Sequence, residues 1–413
     1  MKFAHAAAAI ALTVPMAAAP LAGAKAEALR IAIIESLSGG QTSTGRPNVL
    51  GASYVIDKLN AAGGFNGDTI VVTEYDNGGN TAGASAKFKQ ALADGVHIVI
   101  QGSSSAIAGQ LSEDVRKHNL RNKGKEVLYL NVGAEAMELT GEKCHFHAFR
   151  FTTTAPMRVG ALVRVMKEAG TLGGRVYSIN QNYSWGQDME AAIKGNAAAG
   201  RYEVVETVLH EVNRIQDFAP FVAKIQAAKA DTVITGNWSN DLLLLMKAAG
   251  ASGLKARFAT AFLDQPGNIG NAGDVALGHY VAHTYNAEAT DGVMAEDYKK
   301  VTGHYPAYVE PNTINGVKML AEALKAVDFK GGAIDVDKLA LALETVTLTT
   351  DTGVQSIRKE DHQAYLPVVV SRVEAGVKYP VDGTNLGFRP VKVLPSDQTI
   401  YPVQASCKMT RPN

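Results

Sequence analysis

The feature that most limits the fold of this chain is a repeated alternation. A short aliphatic run is followed by a small polar loop, and the loop by a helical stretch. The sharpest instance is Val96-His97-Ile98-Val99-Ile100-Gln101-Gly102-Ser103-Ser104-Ser105-Ala106. Four apolar side chains in five positions suit a strand covered on both faces. Gly102 lets the backbone turn, three hydroxyls follow, and helical character runs from Ala106 to Lys117. Such a loop gathers amides and hydroxyls where the helix dipole is positive, which suits an anion. The plainer alternative is that Ser103, Ser104 and Ser105 only cap a helix.

The same unit recurs along the chain. Leu29–Ile34 reads as a strand that ends in Ser36-Leu37-Ser38-Gly39-Gly40. Ala52, Val55, Ile56 and Leu59 then mark one apolar helix face, which Gly63-Gly64 ends. Ile70–Thr73 and Val127–Leu130 are further strands, the second ending in Asn131-Val132-Gly133-Ala134-Glu135. This pattern predicts a parallel α/β sheet with right-handed crossovers. Ligands of such sheets sit beyond the strand C-terminal ends. Three small polar loops leave those ends here, at residues 36–44, 102–106 and 133–135.

A second alternation begins after Phe149-Arg150-Phe151. A helix over Met157–Ala169 precedes a strand at Val176–Ile179, and Tyr183-Ser184-Trp185-Gly186 opens the next helix. Strands at Thr232–Thr235 and Phe258–Thr260 lead into Asn237-Trp238-Ser239 and Phe262-Leu263-Asp264. Both tryptophans of the chain thus fall on post-strand loops. Packing explains a single Trp well enough; two on equivalent loops point to a shared site. Beyond Tyr285, helices are expected at Glu296–Lys300, Val317–Val327 and Asp337–Val346, and strands at Gln355–Arg358 and Leu366–Val373. The tail from Asp382, with Pro390, Pro395 and Pro402, reads as an extended strap that ends at Cys407.

Charge narrows the function classes. Lys+Arg and Asp+Glu balance at 40 each over 413 residues, so no basic excess points to nucleic acid. Residues 1–26 read as a secretory signal peptide. Lys2 precedes an Ala-rich run over Ala6–Leu21, and cleavage is expected near Ala24 or Ala26. The two cysteines, Cys144 and Cys407, read as a disulfide in an oxidising compartment. The competing reading is a metal site built on Cys144-His145-Phe146-His147, although adjacent positions seldom face one ion. The sequence has no GxxxxGK[ST] loop, HExxH, GxSxG or CxxC. No cofactor is expected, and a binder is favoured over an enzyme.

Taken in order, the signal peptide, Ser38-Gly39-Gly40, Gly63-Gly64-Phe65-Asn66-Gly67, Tyr75-Asp76-Asn77, the Gly102 serine loop and Gly133-Ala134 form a pattern. From Ala28 to Val373 it resembles the periplasmic substrate-binding proteins of ABC importers, in the leucine/isoleucine/valine-binding family. That resemblance implies a type I periplasmic-binding fold: two Rossmann-like lobes with parallel sheets, joined by three hinge crossovers near Arg150, Tyr285 and Asp351. The first lobe would span 27–150 and 286–351, and the second 151–285 and 352–381. Residues 382–413 would be the strap returning to the first lobe. The protein would be a periplasmic monomer that delivers a small solute to a membrane permease.

Carried over residue by residue, the resemblance puts Ser105, with Ser104 beside it, and the backbone of Gly133 and Ala134 on a solute carboxylate. Ser38 and Thr44 fall on first-loop positions. Trp185 and Trp238 fall on second-lobe positions that are often Tyr. Two departures follow. Glu135 stands where the family usually has Thr or Ser, and Phe262 where it commonly has an acid for the solute ammonium. Asp264, two residues on, and Glu135 are the candidates for a displaced ammonium site. An unpaired buried ammonium is costly, so the solute is either an amino acid with a displaced ammonium site or an aromatic acid. The competing functions are a ligand-sensing receptor subunit and a secreted α/β hydrolase. The hydrolase would pair one of Ser103 to Ser105 with His97 or His283.

Overall fold

The computed structural model describes Met1, residues 28–330 and residues 332–412. The signal peptide expected over residues 1–26 therefore lies, apart from Met1, outside the described residues.

The first sheet joins β1 (Arg30–Glu35), β2 (Val71–Asp76), β3 (Ile98–Gln101), β4 (Leu128–Asn131) and β5 (Ala148–Arg150) in the order β2-β1-β3-β4-β5. All pairs are parallel. The crossovers run through α1 (Thr42–Ala61), α2 (Thr81–Ala93) and α3 (Ser105–Arg121). The aliphatic runs are long because both faces are covered. Ile31 and Ile33 pack with Val49 and Val55 of α1 on one side. Ala32 and Ile34 pack with Phe88 of α2 and Leu111 of α3 on the other.

The second sheet begins with β6 (Arg175–Gln181), β7 (Glu203–His210), β8 (Thr232–Thr235), β9 (Arg257–Thr260) and β10 (Tyr280–His283), again parallel. Its helices are α4 (Ala155–Glu168), α5 (Ser184–Gly195), α6 (Ala197–Gly200), α7 (Ala219–Ala227), α8 (Ser239–Ala251) and α9 (Asn268–Ala272). After β10 the chain returns to the first sheet through α10 (Val293–Thr302) and α11 (Glu310–Leu324). A hairpin of β11 (Phe329–Lys330) and β12 (Ala333–Ile334), α12 (Val336–Leu343) and a small sheet of β13 (Thr347–Thr350), β14 (Gly353–Ile357) and β15 (Ala364–Tyr365) follow. Strands β16 (Val368–Ala375) and β17 (Leu386–Leu394) then join the second sheet as antiparallel strands, β16 beside β10 and β17 at the edge.

Two expected boundaries move. The third passage between the sheets lies at Leu366–Pro367, not near Asp351, because Ile357, Ala364 and Leu366 pack into the core around Ile31 and Ile33. Residues 352–366 thus belong with the first lobe. The strap begins after Leu394, not at Asp382. Pro390 argues against a strand in the sequence, but β17 is an edge strand and Pro390 pairs with Ser371 at a register shift, where no ladder donor is required. From Pro395 onward the tail runs back to the first lobe. Gln404 donates to the carbonyl of Met137, Arg411 pairs with Glu344, and Cys407 is bonded to Cys144. Cys144 is therefore no free metal ligand, and His145 and His147 bond to Ser112 and Asp337 instead.

Candidate functional site

Loops leaving the C-terminal ends of β3 and β4 meet loops leaving β6, β8 and β9 around one cavity. Three helices begin at its wall. Ser104, Tyr183 and Trp238 are the N-cap residues of α3, α5 and α8, and all three line the cavity. None of the three spends its side chain on capping its own helix. The capping alternative for the serine loop therefore fails at Ser104. Three helix N-termini converging on one space make it favourable to negative charge.

The first-lobe wall is a tight backbone cradle. A Cβ on Gly102 would lie 2.6 Å from the amide nitrogen of Gly133, so the two loops touch where only glycine fits. Behind them Glu35 is fully buried, and its Oε1 accepts from the amide of Gly102 (2.5 Å) and from Asn48 (2.8 Å). Burial pushes the Glu35 carboxyl up to about 8, although hydrogen bonds from Ser103 and Gly102 pull the other way. Asn131 closes an Asx turn with the amide and carbonyl of Ala134 and reaches the amide of Gly133 at 3.3 Å. Ser105 Oγ accepts from the amide of Ala136 at 3.1 Å, which leaves its own hydrogen free to donate.

The second-lobe wall is aromatic. Trp185 donates to the carbonyl of Gly236 (2.8 Å) and Trp238 to the hydroxyl of Tyr183 (2.8 Å), so both rings are held in place. Phe262 packs against Trp185 at 5.3 Å and edge-on to Tyr308 at 5.7 Å. Burial raises the Tyr183 and Tyr308 hydroxyls well above the usual phenol range, so both remain donors. Tyr308 holds φ +56 and Ser239, next to Trp238, also φ +56. Left-handed backbone at non-glycine residues costs energy and recurs at functional sites.

Glu135 is not free. Arg158 of α4 bonds both its oxygens, at 2.7 and 2.6 Å, and Thr152 adds a third bond at 2.8 Å. Arg158 also donates to the carbonyls of Ala261 and Ala282 and lies 4.8 Å over the Phe262 ring. Burial works against the guanidinium charge, but Glu135 outweighs it and holds Arg158 above its ordinary value. The pair joins a first-lobe loop to a second-lobe helix.

Eight of the sequence candidates therefore line the cavity: Ser104, Ser105, Gly133, Ala134, Glu135, Trp185, Trp238 and Phe262. Three do not. Ser38 is exposed and does not line the cavity. Thr44 is buried and donates to the carbonyl of Gln41. Asp264 faces a different cavity, because residues two apart beyond a strand end need not share a side. Sequence reasoning missed Tyr183, Tyr308 and Arg158. Tyr183 sits two residues before Trp185, and Arg158 is one charge in an otherwise apolar helix start; both were signals. Tyr308 had none.

The serine–histidine pairs named for a hydrolase do not form. His97 bonds the amide of Arg30 and lies 2.9 Å from the carbonyl of Gly332. His283 lies between Asp264 (3.3 Å) and Ser371 (2.8 Å). Ser371 is fully buried and also accepts from Asn286, so no substrate reaches that hydroxyl.

The lobes touch across the gap. The amide of Met137 donates to Asp188 (2.7 Å), Gln265 to Ser43 (3.0 Å), and Ser239 to the carbonyl of Gly40 (3.4 Å). Burial pushes the Asp188 carboxyl up to about 6. The cavity enclosed is about 20 Å³, far below the space even a small ligand requires. A solute needs the lobes to part.

The periplasmic binding protein family matches residues 28–378. Leu/Ile/Val-binding protein homolog 4 of Brucella abortus is 57% identical over 394 residues, 95% of each chain. The Leucine-specific-binding protein of Salmonella typhimurium is 25% identical over 257 residues, 60% of this chain and 64% of that one. Among solved structures, the Leucine-, isoleucine-, valine-, threonine-, and alanine-binding protein of Brucella ovis, in a closed conformation, superposes with a TM-score of 0.88 at 57% identity. It covers 94% of this chain and 100% of its own. A solute binding protein of an ABC transporter from R. palustris, in complex with benzoate, has a TM-score of 0.77 at 17% identity, over 92% of this chain and 99% of its own, a likeness of fold. With two α/β lobes facing across a cleft and a family match over most of its length, this chain belongs to the periplasmic binding proteins.

Proposed function

We propose that the chain is the periplasmic solute-binding component of an ABC importer and that its solute is a small carboxylate with an apolar or aromatic body. The observation that carries this reading is the convergence of three helix N-termini, with the free Ser104 side chain, on a cavity otherwise walled by rings. The carboxylate would meet the amides and hydroxyls of the first lobe, and the second lobe would close its tryptophans over the body. A solute that binds the closed form better shifts the population toward it. Among the described residues that line this cavity, Glu135 is the one carboxylate, and Arg158 and Thr152 occupy it, while Phe262 is apolar.

An α-amino acid is the second reading. The likeness to Leu/Ile/Val-binding protein homolog 4 of Brucella abortus, at 57% identity, supports it. Its ammonium would have to rest on hydroxyls and backbone carbonyls. Calorimetric titration with leucine, 4-methylpentanoate and benzoate separates the two, because the first two differ only in the ammonium group. The proposed reading expects 4-methylpentanoate or benzoate to bind at least as tightly as leucine. Leucine tighter by about tenfold, ~1.4 kcal/mol, supports the amino acid, and silence from all three overturns the carboxylate site. The export signal over residues 1–26 is tested by sequencing the N-terminus of secreted protein, and the monomer by light scattering.

A further inference from the structure

The side chains that line the inner cavity keep their acceptors occupied and leave donors free. Both oxygens of Glu135 are taken by Arg158 and Thr152. The two indole N–H groups are spent on Gly236 and Tyr183. Ser103 is engaged with Ser36, 3.2 Å away. Four hydroxyls remain: Ser104 and Ser105 on the first-lobe wall, Tyr183 and Tyr308 on the aromatic one. Ser105 and Tyr183 each already accept a bond, from the Ala136 amide (3.1 Å) and from Trp238 (2.8 Å), so each has a hydrogen left to give. The Tyr308 hydroxyl makes no hydrogen bond among the described residues and is not one of the atoms sealed from solvent. Burial keeps both phenols protonated.

The serines suit the solute carboxylate. The phenols then call for a second polar group on the solute, and its chemistry is constrained. An ammonium brings three donors and a positive charge toward three helix N-termini of the same sign. A hydroxyl brings one donor, for which no carboxylate is free. A carbonyl accepts and donates nothing. All four hydroxyls border one space of about 20 Å³, so the second group lies beside the carboxylate, on the adjacent carbon.

We propose that the solute is a 2-oxo acid with a branched or aromatic body, its 2-oxo oxygen accepting from Tyr183 and Tyr308. This rests on the carboxylate reading above and narrows it. A buried donor without a partner is costly, whether it belongs to the protein or to the solute. The site therefore ranks analogues of one skeleton by the donors they carry, oxo before hydroxy before amino. It also prefers the oxo acid to the plain acid, which leaves the phenols unpaired.

Titration calorimetry with 4-methyl-2-oxopentanoate, 2-hydroxy-4-methylpentanoate, leucine and 4-methylpentanoate tests this on the unaltered protein. The oxo acid is expected to bind about tenfold or more tightly than each of the other three. Tyr308→Phe should remove about fivefold or more of its advantage over 4-methylpentanoate, and Tyr183→Phe likewise. Tyr183→Phe also strips Trp238 of its acceptor, so Tyr308→Phe is the cleaner variant, and the ligand ranking needs no variant at all. An oxo acid no tighter than 4-methylpentanoate, while the latter or benzoate still binds, overturns this proposal alone. So does a hydroxy acid tighter than the oxo acid, or an advantage that survives both variants. Leucine tighter than all the other acids, or silence from every acid, overturns the carboxylate reading together with it.

Discussion

The two walls of the inner cavity are built from different materials. The first lobe offers glycines, serines and helix-end amides braced by buried polar groups: Glu35 under Gly102, Asn131 under Ala134 and Ser105 under Ala136. The second lobe offers Trp185, Trp238 and Phe262, with each indole nitrogen tied down. A backbone cradle recognises charge and cannot adapt, because Gly102 and Gly133 are already in contact. An aromatic wall supplies area and shape and needs only to arrive in the right place. The division assigns recognition of the carboxylate to the first lobe and its enclosure to the second. The buried Glu135–Arg158 pair is the joint between them.

The most severe way to break this arrangement is at that joint. Arg158→Leu strands Glu135 without its counter-ion and should cost about 3–5 kcal/mol in urea unfolding. Adding Glu135→Gln should recover much of the loss. A loss below about 1 kcal/mol would show that the lobes do not depend on the pair.

Next is the brace under the cradle. The Glu35 carboxyl is raised from 4.5 to about 8 in the native state. The native protein therefore holds a proton that the unfolded chain releases. This contribution is complete below pH ~4.5 and is lost as pH rises through about 8. Between pH 5 and 8 the wild type should lose stability relative to Glu35→Gln by a few kcal/mol, about 3 as an order of magnitude. Parallel pH profiles for the two proteins would contradict it.

The strap distinguishes lobe stability from site chemistry. Replacing Cys144 and Cys407 with Ser opens a link between residues 263 apart in sequence. It should cost about 2–3 kcal/mol and leave solute affinity within about twofold. A large affinity loss would tie the strap to the site. The smallest effect on stability is expected at the aromatic wall. Trp238→Phe keeps a ring but loses the bond to Tyr183. It should change unfolding by about 1 kcal/mol or less and weaken solute binding about fivefold to tenfold by calorimetry.

The strand–loop–helix rhythm made both sheets and the cradle legible, because fully covered strands require unbroken aliphatic runs and the loops after them carry the polar residues. The two tryptophans were legible by position for the same reason. Local geometry beyond the strand ends was not. A single 3-10 turn at Gly39–Gln41 leaves Ser38 outside the cavity, and the turn that follows β9 takes Asp264 away from the cavity that Phe262 lines. Tyr308 enters from the return segment with a left-handed backbone that no periodicity announces. Arg158 reads as a surface charge until its partner, 23 residues back, is seen beside it. The edge position that tolerates Pro390 in β17 is a property of the assembled sheet.

The most direct test uses what the cavity itself provides. Trp185 and Trp238 are the two tryptophans of the chain, and both line the site. Their fluorescence should change saturably as 4-methylpentanoate or a benzoate is added, and Ser105→Ala should shift that curve to about tenfold higher concentration. A curve that Ser105→Ala leaves unmoved, or no change with any carboxylate, would contradict a carboxylate held between the serine cradle and the indole wall.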